Sequence, residues 1–390
     1  MKEAVIVSAV RTAVARENSA LRDIPPEIYG GLVLKEAAKR AGVDPEIIEQ
    51  VIMGCCLTSV GCMARMASLQ AGFPVSVPGL TVDRQCGSGS EAINIAAALA
   101  MAAQGEVYLA GGVESMTRMP YLLEKPSTAY QREAPGFVPG KRYLTPEHIG
   151  DPPMGITAEN VAEKYGVTRE QQDEFALSSQ LKAEKAITEG RFKEQILTLE
   201  IPQKKGDPIV FDTDEHPRFG LTIDKLARLS PIFKKGGTVT AGNASGINDG
   251  AAAVVVMEKA KAKEMGLKIM GTVRGMAAAG VDPNYMGIGP VPAVKKALTM
   301  AGITTGDLGV IELNEAFASQ AVACINELGL NYEKVNPNGG AIALGHPIAA
   351  SLAVLTVKLL YEMERQDVRY GLVTACCGGG QGVATIIERG

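Results

Sequence analysis

Cys86 and His346 are the residues of this sequence whose types could together perform covalent chemistry. Cys86 lies in CGSGS at a predicted strand-to-helix junction, and His346 lies in NPNGGAIALGHP, before another small-residue helix. Unpaired backbone N–H groups at such a junction favour a thiolate, and an imidazole can take the thiol proton. CGSGS alone is equally consistent with a small buried core cysteine. If the two residues meet, they predict acyl transfer through an acylated cysteine.

Other thiols and histidines supply further candidates. His148 and His216, the remaining histidines, occur in polar loops, where we expect solvated side chains. Cys376 ends a predicted strand before CGGGQG, a turn whose backbone N–H groups can cradle an oxyanion, and Cys377 is the competing candidate. The C-x-x-C spacings of a zinc site are absent, so we expect no metal.

Asn314 follows the apolar stretch GVIEL and begins the segment NEAFA, which we expect to start a helix. An asparagine at this place could be an ordinary helix N-cap. It could equally hold a water molecule for catalysis. The residues around it leave both interpretations open.

An internal repeat relates the two ends of the chain. The segment 34–54 resembles the segment 294–314, and each contains an amphipathic helix, an AG turn and a β-branched strand. The same shift of 260 residues carries Cys86 onto His346. A pseudo-twofold axis between two similar halves would therefore bring these side chains together.

The amino-acid composition of the segment between the two halves predicts an inserted domain. Residues 118–247 are rich in proline, glycine and charge, and the buried strand pattern resumes after them. We therefore expect a discontinuous first half (1–117 with 248–269), an inserted domain (118–247) and a second half (270–390). Alternating strands and helices predict an α/β fold with mainly parallel sheets stacked as helix, sheet, helix, sheet, helix.

The bulk composition excludes several classes of protein. A chain of 390 residues is too long to pack around one hydrophobic core. A content of 46% hydrophobic and 21% charged residues argues against disorder. A net charge of −4 without basic blocks predicts no nucleic-acid partner. Apolar stretches of about a dozen residues are shorter than the roughly 20 of a membrane span. With no apolar leader and seven irregularly spaced cysteines, we expect reduced thiols and a cytoplasmic protein.

Taken in order, these motifs resemble those of the thiolase family along essentially the whole chain. The matching blocks are RQCGSG, GGVESM, GTVTAGNASGINDGAA, NEAFA, NGGAIALGHP and CCGGGQG. The resemblance implies a five-layered α-β-α-β-α duplication with an inserted loop domain.

The resemblance also implies a role for each candidate residue. Cys86 would be the acylated nucleophile, His346 would activate it, and Cys376 would move a proton on and off the substrate carbon or the leaving thiolate. One oxyanion hole would consist of His346 and a water held by Asn314. The other would consist of the backbone N–H groups of Cys86 and Gly378. Each hole stabilises the negative charge that develops on a thioester oxygen.

By the same resemblance, coenzyme A and acyl-CoA would be substrates, with no tightly bound cofactor. The inserted domain would hold coenzyme A, with Arg218 near the adenine, Ser245 and Ala241 along the pantetheine and Met154 at the acyl end. Arg218 could otherwise be a solvated surface side chain. We expect a homodimer or a homotetramer made of two dimers.

The sequence departs from the usual family pattern at several positions. Ala349 and Leu352 replace usual glycines after the GHP motif, and Leu352 predicts overpacking unless Ser90, where leucine is common, compensates. Asp83 stands where asparagine is frequent. Three thiols occupy a loop that is more usually polar: Cys55, Cys56 and Cys62.

Two features select among thiolase reactions. Pro153, where biosynthetic members often carry histidine, and the RQC triplet favour 3-ketoacyl-CoA thiolysis. The alternative is an acetyl-CoA C-acetyltransferase that condenses two acetyl-CoA molecules. A related condensing enzyme acting on acyl carrier protein would show two catalytic histidines in motif context. A non-catalytic thiolase-like coenzyme A-binding subunit would lack one of Cys86, His346 and Cys376.

Overall fold

Strands and helices alternate through both halves of the chain. The computed structural model describes residues 2–123, 125, 137–138 and 143–390. The strands are β1 (Ala4–Thr12), β2 (Ala15–Arg16), β3 (Gln50–Gly54), β4 (Gly79–Val82), β5 (Val107–Ser115), β6 (Leu122–Leu123), β7 (Phe137–Val138), β8 (Ile196–Leu197), β9 (Leu199–Ile201), β10 (Ile209–Phe211), β11 (Asn248–Glu258), β12 (Gly271–Gly280), β13 (Leu308–Leu313), β14 (Tyr370–Cys377) and β15 (Gln381–Arg389).

The helices lie between these strands. They are α1 (Pro26–Ala41), α2 (Met63–Gln70), α3 (Ser88–Met101), α4 (Met154–Tyr165), α5 (Arg169–Thr188), α6 (Ile223–Ala227), α7 (Lys259–Glu264), α8 (Pro290–Ala301), α9 (Ala318–Leu328), α10 (Ala341–Leu344) and α11 (Ser351–Gln366). Within the described ranges, no helix combines the length and the apolar character that a membrane span requires.

Two half-sheets meet at a seam between β1 and β12. The first has the strand order β4-β3-β5-β11-β1, and the second continues from the seam as β12-β15-β14-β13. Two residue pairs join them, Val5 with Thr272 and Ile6 with Gly271. The order of the second half-sheet mirrors that of the first, which confirms the duplication predicted from the repeat.

The AG turns of the repeat end corresponding helices in the two halves. Gly42 follows α1 with φ 64°, and Gly302 follows α8 with φ 67°. Glycine adopts this left-handed conformation without the steric cost that a Cβ brings, so it ends a helix readily. The same local chemistry therefore sets the same helix-to-strand transition twice.

Five layers pack on three large apolar cores. Helices α1 and α2 cover one face of the first half-sheet, and α8 and α9 cover the outer face of the second. Helices α3 and α11 lie between the half-sheets in a central core. Alternation along β3 divides its side chains, since Ile52 faces the central core while Val51 and Met53 face the outer one. The fold is the expected α-β-α-β-α arrangement.

The prediction of mainly parallel sheets is wrong, because both half-sheets are mixed. Strand β3 runs parallel to β4 and β5, and β13 runs parallel to β14. The pairs β5–β11, β11–β1, β14–β15 and β15–β12 are antiparallel. Only the turn Gly378–Gly380 joins β14 to β15, and such a short connection permits only antiparallel pairing.

The expected insertion lies between two strands that pair with each other. Strand β5 ends at Ser115, opposite Asp249 of β11. A buried ion pair between Arg11 and Asp214, at 2.7 Å, attaches the intervening stretch to the end of β1. The domain division at residues 117, 247 and 269 stays a prediction.

Leu352 is fully buried in the central core between the half-sheets. Close packing of α3 on α11 allows no extra atom at Gly89, where a Cβ would lie 2.8 Å from the backbone nitrogen of Ala353. Ser90 forms a hydrogen bond of 2.8 Å with the hydroxyl of Thr385. Its compensation for Leu352 stays a prediction.

Leu352→Ala should lower the free energy of unfolding by about 2–5 kcal/mol, because it leaves a cavity in the central core. The matched control is Leu32→Ala on α1, where the side chain is 40% exposed and the change should stay within about 0.5 kcal/mol. Urea unfolding monitored by circular dichroism measures both. A more stable Leu352→Ala variant would contradict this and show that Leu352 is overpacked.

Candidate active site

A short turn presents Cys86 at the start of α3. The turn spans Gln85–Gly87, and Gln85 has φ 49°, a left-handed conformation that is uncommon for a side chain with a Cβ. The Ser88 hydroxyl donates a hydrogen bond of 2.7 Å to the Gln85 carbonyl and accepts one of 2.8 Å from the Arg84 amide. These bonds fix the turn on both sides of the thiol.

A second turn presents His346 ahead of α11. Gly345, at φ 99°, precedes the histidine, and its backbone packs against Asn248. The Asn248 side chain accepts a hydrogen bond of 2.9 Å from the His346 backbone amide. Pro347 follows the histidine and precedes a 3-10 turn, Ile348–Ala350, that leads into α11.

The two turns bring Cys86 and His346 into contact, as the repeat predicted. The Cys86 sulfur lies 3.2 Å from His346 Nε2. On the other side of the ring, Nδ1 lies 2.5 Å from the Ser351 hydroxyl. If Nδ1 carries the ring proton and donates it to Ser351, Nε2 is free to accept the proton of the thiol.

Both members of this pair are neutral at pH 7. Burial raises the pKa of the Cys86 thiol to about 12, although the backbone N–H groups of Gly378 and of Cys86 itself act in the opposite direction. Burial also lowers the pKa of His346 to about 4. The sequence-based expectation of a resting thiolate is therefore wrong, because the cost of desolvating the charge exceeds the stabilisation by the N–H groups.

Asn314 lies beside the pair and is not a helix N-cap. Helix α9 begins at Ala318, after Phe317, so the N-cap interpretation of Asn314 is wrong. The Asn314 Nδ2 atom lies 3.5 Å from His346 Nε2. Its Oδ1 atom is buried and has no hydrogen-bond partner among the described residues. The amide is thus directed at the reacting atoms.

Cys376 and Cys377 lie on opposite faces of β14. Cys377 packs into the central core, where a Cβ on Gly87 would lie 2.7 Å from its sulfur. Cys376 is fully buried in a separate apolar cluster. Burial raises the pKa of the Cys376 thiol, and the nearby Cys86 acts in the same direction. Cys86 also raises the pKa of the Cys377 thiol, so the choice of Cys376 as the second thiol of the site stays a prediction.

The apolar cluster around Cys376 joins the inserted stretch to the second half. Met154, at the start of α4, packs against it, and its buried members are Ala158, Val239, Ala244, Met286, Ala316, Phe317 and Cys376. Ala244 also forms an isolated β-bridge with Phe317. The cluster therefore surrounds the Cys376 thiol with apolar side chains.

The remaining coenzyme A candidates lie farther out on the inserted stretch. Ser245 is half-buried, and its amide donates a hydrogen bond of 3.0 Å to the Ala316 carbonyl. Ala241 and Arg218 are exposed. His148 is exposed as expected, whereas His216 is half-buried and packs on the backbone of Gly246. The expectation of a solvated His216 is therefore wrong.

Sequence reasoning missed three residues that support the pair: Ser351, Asn248 and Glu114. Asn248 and Glu114 occur inside quoted motifs and Ser351 lies four residues after the GHP motif, so closeness to a motif was the available signal. Asn248 and Glu114 form hydrogen bonds with distant segments, which motif spacing does not reveal, whereas Ser351 lies five residues after its partner His346. In the described ranges, no three His, Cys, Asp or Glu side chains converge as metal ligands would.

Comparisons with known proteins agree along the whole chain. The family descriptions "Thiolase, N-terminal domain" and "Thiolase, C-terminal domain" match residues 4–260 and 267–389. Acetyl-CoA acetyltransferase from Cupriavidus necator is 50% identical, with 100% of each chain covered. The crystal structure of Bacillus anthracis acetyl-CoA acetyltransferase gives a TM-score of 0.95 at 44% identity, and human mitochondrial 3-ketoacyl-CoA thiolase gives 0.95 at 37%. Both cover 100% of this chain and 99% of their own.

Alkylation of Cys86 by iodoacetamide should accelerate continuously between about pH 7 and pH 10, because only the thiolate reacts. With the thiol pKa at about 12, no plateau falls in this range. Mass spectrometry of the Cys86 peptide measures the rate, and glutathione serves as a control thiol. A plateau below about pH 8 would reveal a resting thiolate and contradict the neutral pair.

Proposed function

The chain belongs to the thiolase family, and on this premise we propose that it cleaves 3-ketoacyl-CoA with coenzyme A through an acyl-cysteine intermediate. The contact of 3.2 Å between Cys86 and His346 carries this proposal, and Cys86 is near enough to Cys376 to raise the pKa of that thiol. A nucleophile with an adjacent base performs acyl transfer, and a second thiol supplies the proton that the leaving carbon needs.

The first half-reaction makes the acyl-enzyme. His346 takes the Cys86 proton as the sulfur attacks the 3-keto carbon, and the bond between C2 and C3 then breaks. The electrons of that bond leave on the enolate of acetyl-CoA, which takes a proton from Cys376. Backbone N–H groups of Cys86 and Gly378 face the oxygen of the acyl group. His346 and an Asn314-held water face the enolate oxygen.

The second half-reaction transfers the acyl group to coenzyme A. The Cys376 thiolate takes the proton of the incoming thiol, and the new thiolate attacks the acyl-Cys86 carbonyl. The sulfur of Cys86 leaves and recovers its proton from His346. Since both thiols end as they began, the cycle is balanced and runs in either direction.

A second candidate function is the condensation of two acetyl-CoA molecules to acetoacetyl-CoA, which is the same cycle in reverse. The name of the Cupriavidus necator relative, acetyl-CoA acetyltransferase, favours it. Pro153 before Met154 favours the degradative direction. A non-catalytic subunit is the less favoured class, because Cys86, His346 and Cys376 are all present in the chain.

The inserted stretch would hold coenzyme A. Met154 lies against the Cys376 cluster and would contact the acyl end, with Ser245 and Ala241 along the pantetheine and the exposed Arg218 near the adenine. We propose no tightly bound cofactor and no nucleic-acid or membrane partner. A reducing location, the cytoplasm, suits the seven cysteines, all of which are free thiols.

Purified protein should cleave 3-ketoacyl-CoA substrates of increasing chain length when coenzyme A is supplied. Incubation with acetyl-CoA should add one acetyl group at Cys86, detected by mass spectrometry. Cys86→Ser should lose the label and slow thiolysis by more than about 10³-fold, because the nucleophile is gone. Cys62→Ser is the matched control and should retain both.

The substrate range separates the two candidates. Good rates with longer chains support thiolysis of broad range, and a reaction with acetoacetyl-CoA alone supports the condensing function. An active, unlabelled Cys86→Ser enzyme would refute the acyl-cysteine mechanism.

We further propose that a second copy of the chain covers the edge strand β4, giving a dimer that can pair into a tetramer. Strand β4 is the outer strand of the first half-sheet, and its Leu80 is 38% exposed. Unpaired edges of this kind are usually covered. Leu80→Lys should shift the mass found by light scattering towards the monomer, whereas Leu32→Lys, at a similarly exposed site, should not. A monomeric unmodified chain would contradict the proposal.

A further inference from the structure

Glu114 lies at the end of β5, fully buried beneath the two turns of the site. Its Oε1 atom accepts a hydrogen bond of 3.1 Å from the Leu57 amide and lies 3.6 Å from the Cys55 sulfur. Its Oε2 atom accepts bonds of 3.2 Å from the amides of Cys56 and Ala349. Two donors therefore converge on each oxygen of one buried carboxylate.

The loop Cys55–Leu57 connects this carboxylate to the nucleophile turn. The Cys56 sulfur lies 3.4 Å from the Ser88 hydroxyl and 3.6 Å from the Gln85 carbonyl. Gln85 and Ser88 flank Cys86 and Gly87. The backbone of Cys56 is thus held by Glu114 while its thiol contacts the turn that presents Cys86.

Ala349 connects the same carboxylate to the histidine turn. It lies three residues after His346 and packs with Cys56 and Leu57 in a small buried cluster. A Cβ on Gly112 would lie 2.5 Å from the Ala349 carbonyl oxygen, so the turn sits directly on β5. The histidine turn and the nucleophile turn therefore share one support.

We propose that Glu114 is a positioning residue that holds Cys86 and His346 at contact distance through the Cys55–Leu57 loop and Ala349. This inference rests on the proposed function, because it concerns the geometry of that reaction. The proposal assigns roles to two thiols that are unusual for the family. Cys55 donates a hydrogen bond to the Glu114 carboxylate, and Cys56 connects Glu114 to the nucleophile turn. Glu114 touches no reacting atom itself.

The charge of Glu114 has a separate effect on Cys86. The carboxylates of Glu114 and Asp83 both raise the pKa of the Cys86 thiol, whereas the Gly378 amide lowers it. The other titratable groups facing the thiol are neutral: His346, Cys376 and Cys377. Removing the Glu114 charge should therefore increase the thiolate fraction of Cys86 at a fixed pH. Loss of positioning should slow acyl transfer at the same time.

Glu114→Gln separates these two effects. The amide nitrogen of Gln would face two N–H or S–H donors, so the loop must shift. We expect kcat to fall by about 100-fold, the cost of a 1 Å misplacement, with KM within about twofold. Alkylation of Cys86 by iodoacetamide at about pH 8 should become faster, by at least about twofold. The matched control is Glu258→Gln, a buried helix-capping carboxylate at the far end of β11.

Cys56→Ala keeps the test valid if Glu114→Gln does not fold. It leaves Glu114 and its amide donors in place but removes the thiol contact with the nucleophile turn. We expect kcat to fall by about fivefold, the worth of one hydrogen bond, and Cys56→Ser to restore most of it. Thermal unfolding midpoints of these variants should stay near that of the unmodified chain.

The outcomes distinguish the proposal from the proposed function. Unchanged kcat in folded Glu114→Gln and in Cys56→Ala would overturn the positioning role. Slower alkylation of Cys86 in Glu114→Gln would also overturn it, because a general structural defect would then explain the loss of activity. An unmodified chain that transfers no acyl group would refute the proposed function, while the alkylation comparison would still test the Glu114 contact, since it needs no acyl substrate.

Discussion

The site depends on the close approach of two helix starts, α3 and α11, across the central layer. Gly89 permits this close approach because it has no side chain. A Cβ at this position would lie 2.8 Å from the Ala353 nitrogen and 2.9 Å from the Ala349 carbonyl oxygen. The pseudo-twofold places the helices opposite each other, and the absent side chain lets them touch. Without that approach, Cys86 and His346 would sit on separate half-sheets with a layer of side chains between them.

Contact between two neutral groups gives the site its chemical character. Burial favours the uncharged forms of both Cys86 and His346, so the proton moves only when an acyl oxygen accepts charge nearby. Ser351, rather than a carboxylate, orients the imidazole. A carboxylate there would stabilise the imidazolium and favour a resting ion pair. The serine instead preserves a thiol that reacts chiefly with a bound acyl substrate.

Sequence reasoning identified the duplication and the meeting of Cys86 with His346, because a repeat carries three-dimensional information. It failed where the decisive contact joins distant segments. Glu114 lies in a quoted motif, yet its donors come from residues 55–57 and 349, which no spacing connects. The expectation of a thiolate failed for a related reason. The local sequence indicates that backbone N–H groups stabilise the thiolate, but the burial that destabilises it depends on the whole fold. The parallel-sheet expectation failed because CGGGQG is also a hairpin turn.

The position of β11 has a consequence for synthesis of the chain. Strand β1 pairs with β11, which ends at Glu258, so the first half-sheet cannot close until about two-thirds of the polypeptide has left the ribosome. Until then, β1 and β5 both lack β11, the strand with which each of them pairs. Such long-range pairing slows folding and leaves sheet edges open to wrong partners. The nascent chain is therefore most exposed to aggregation before its second half begins to emerge.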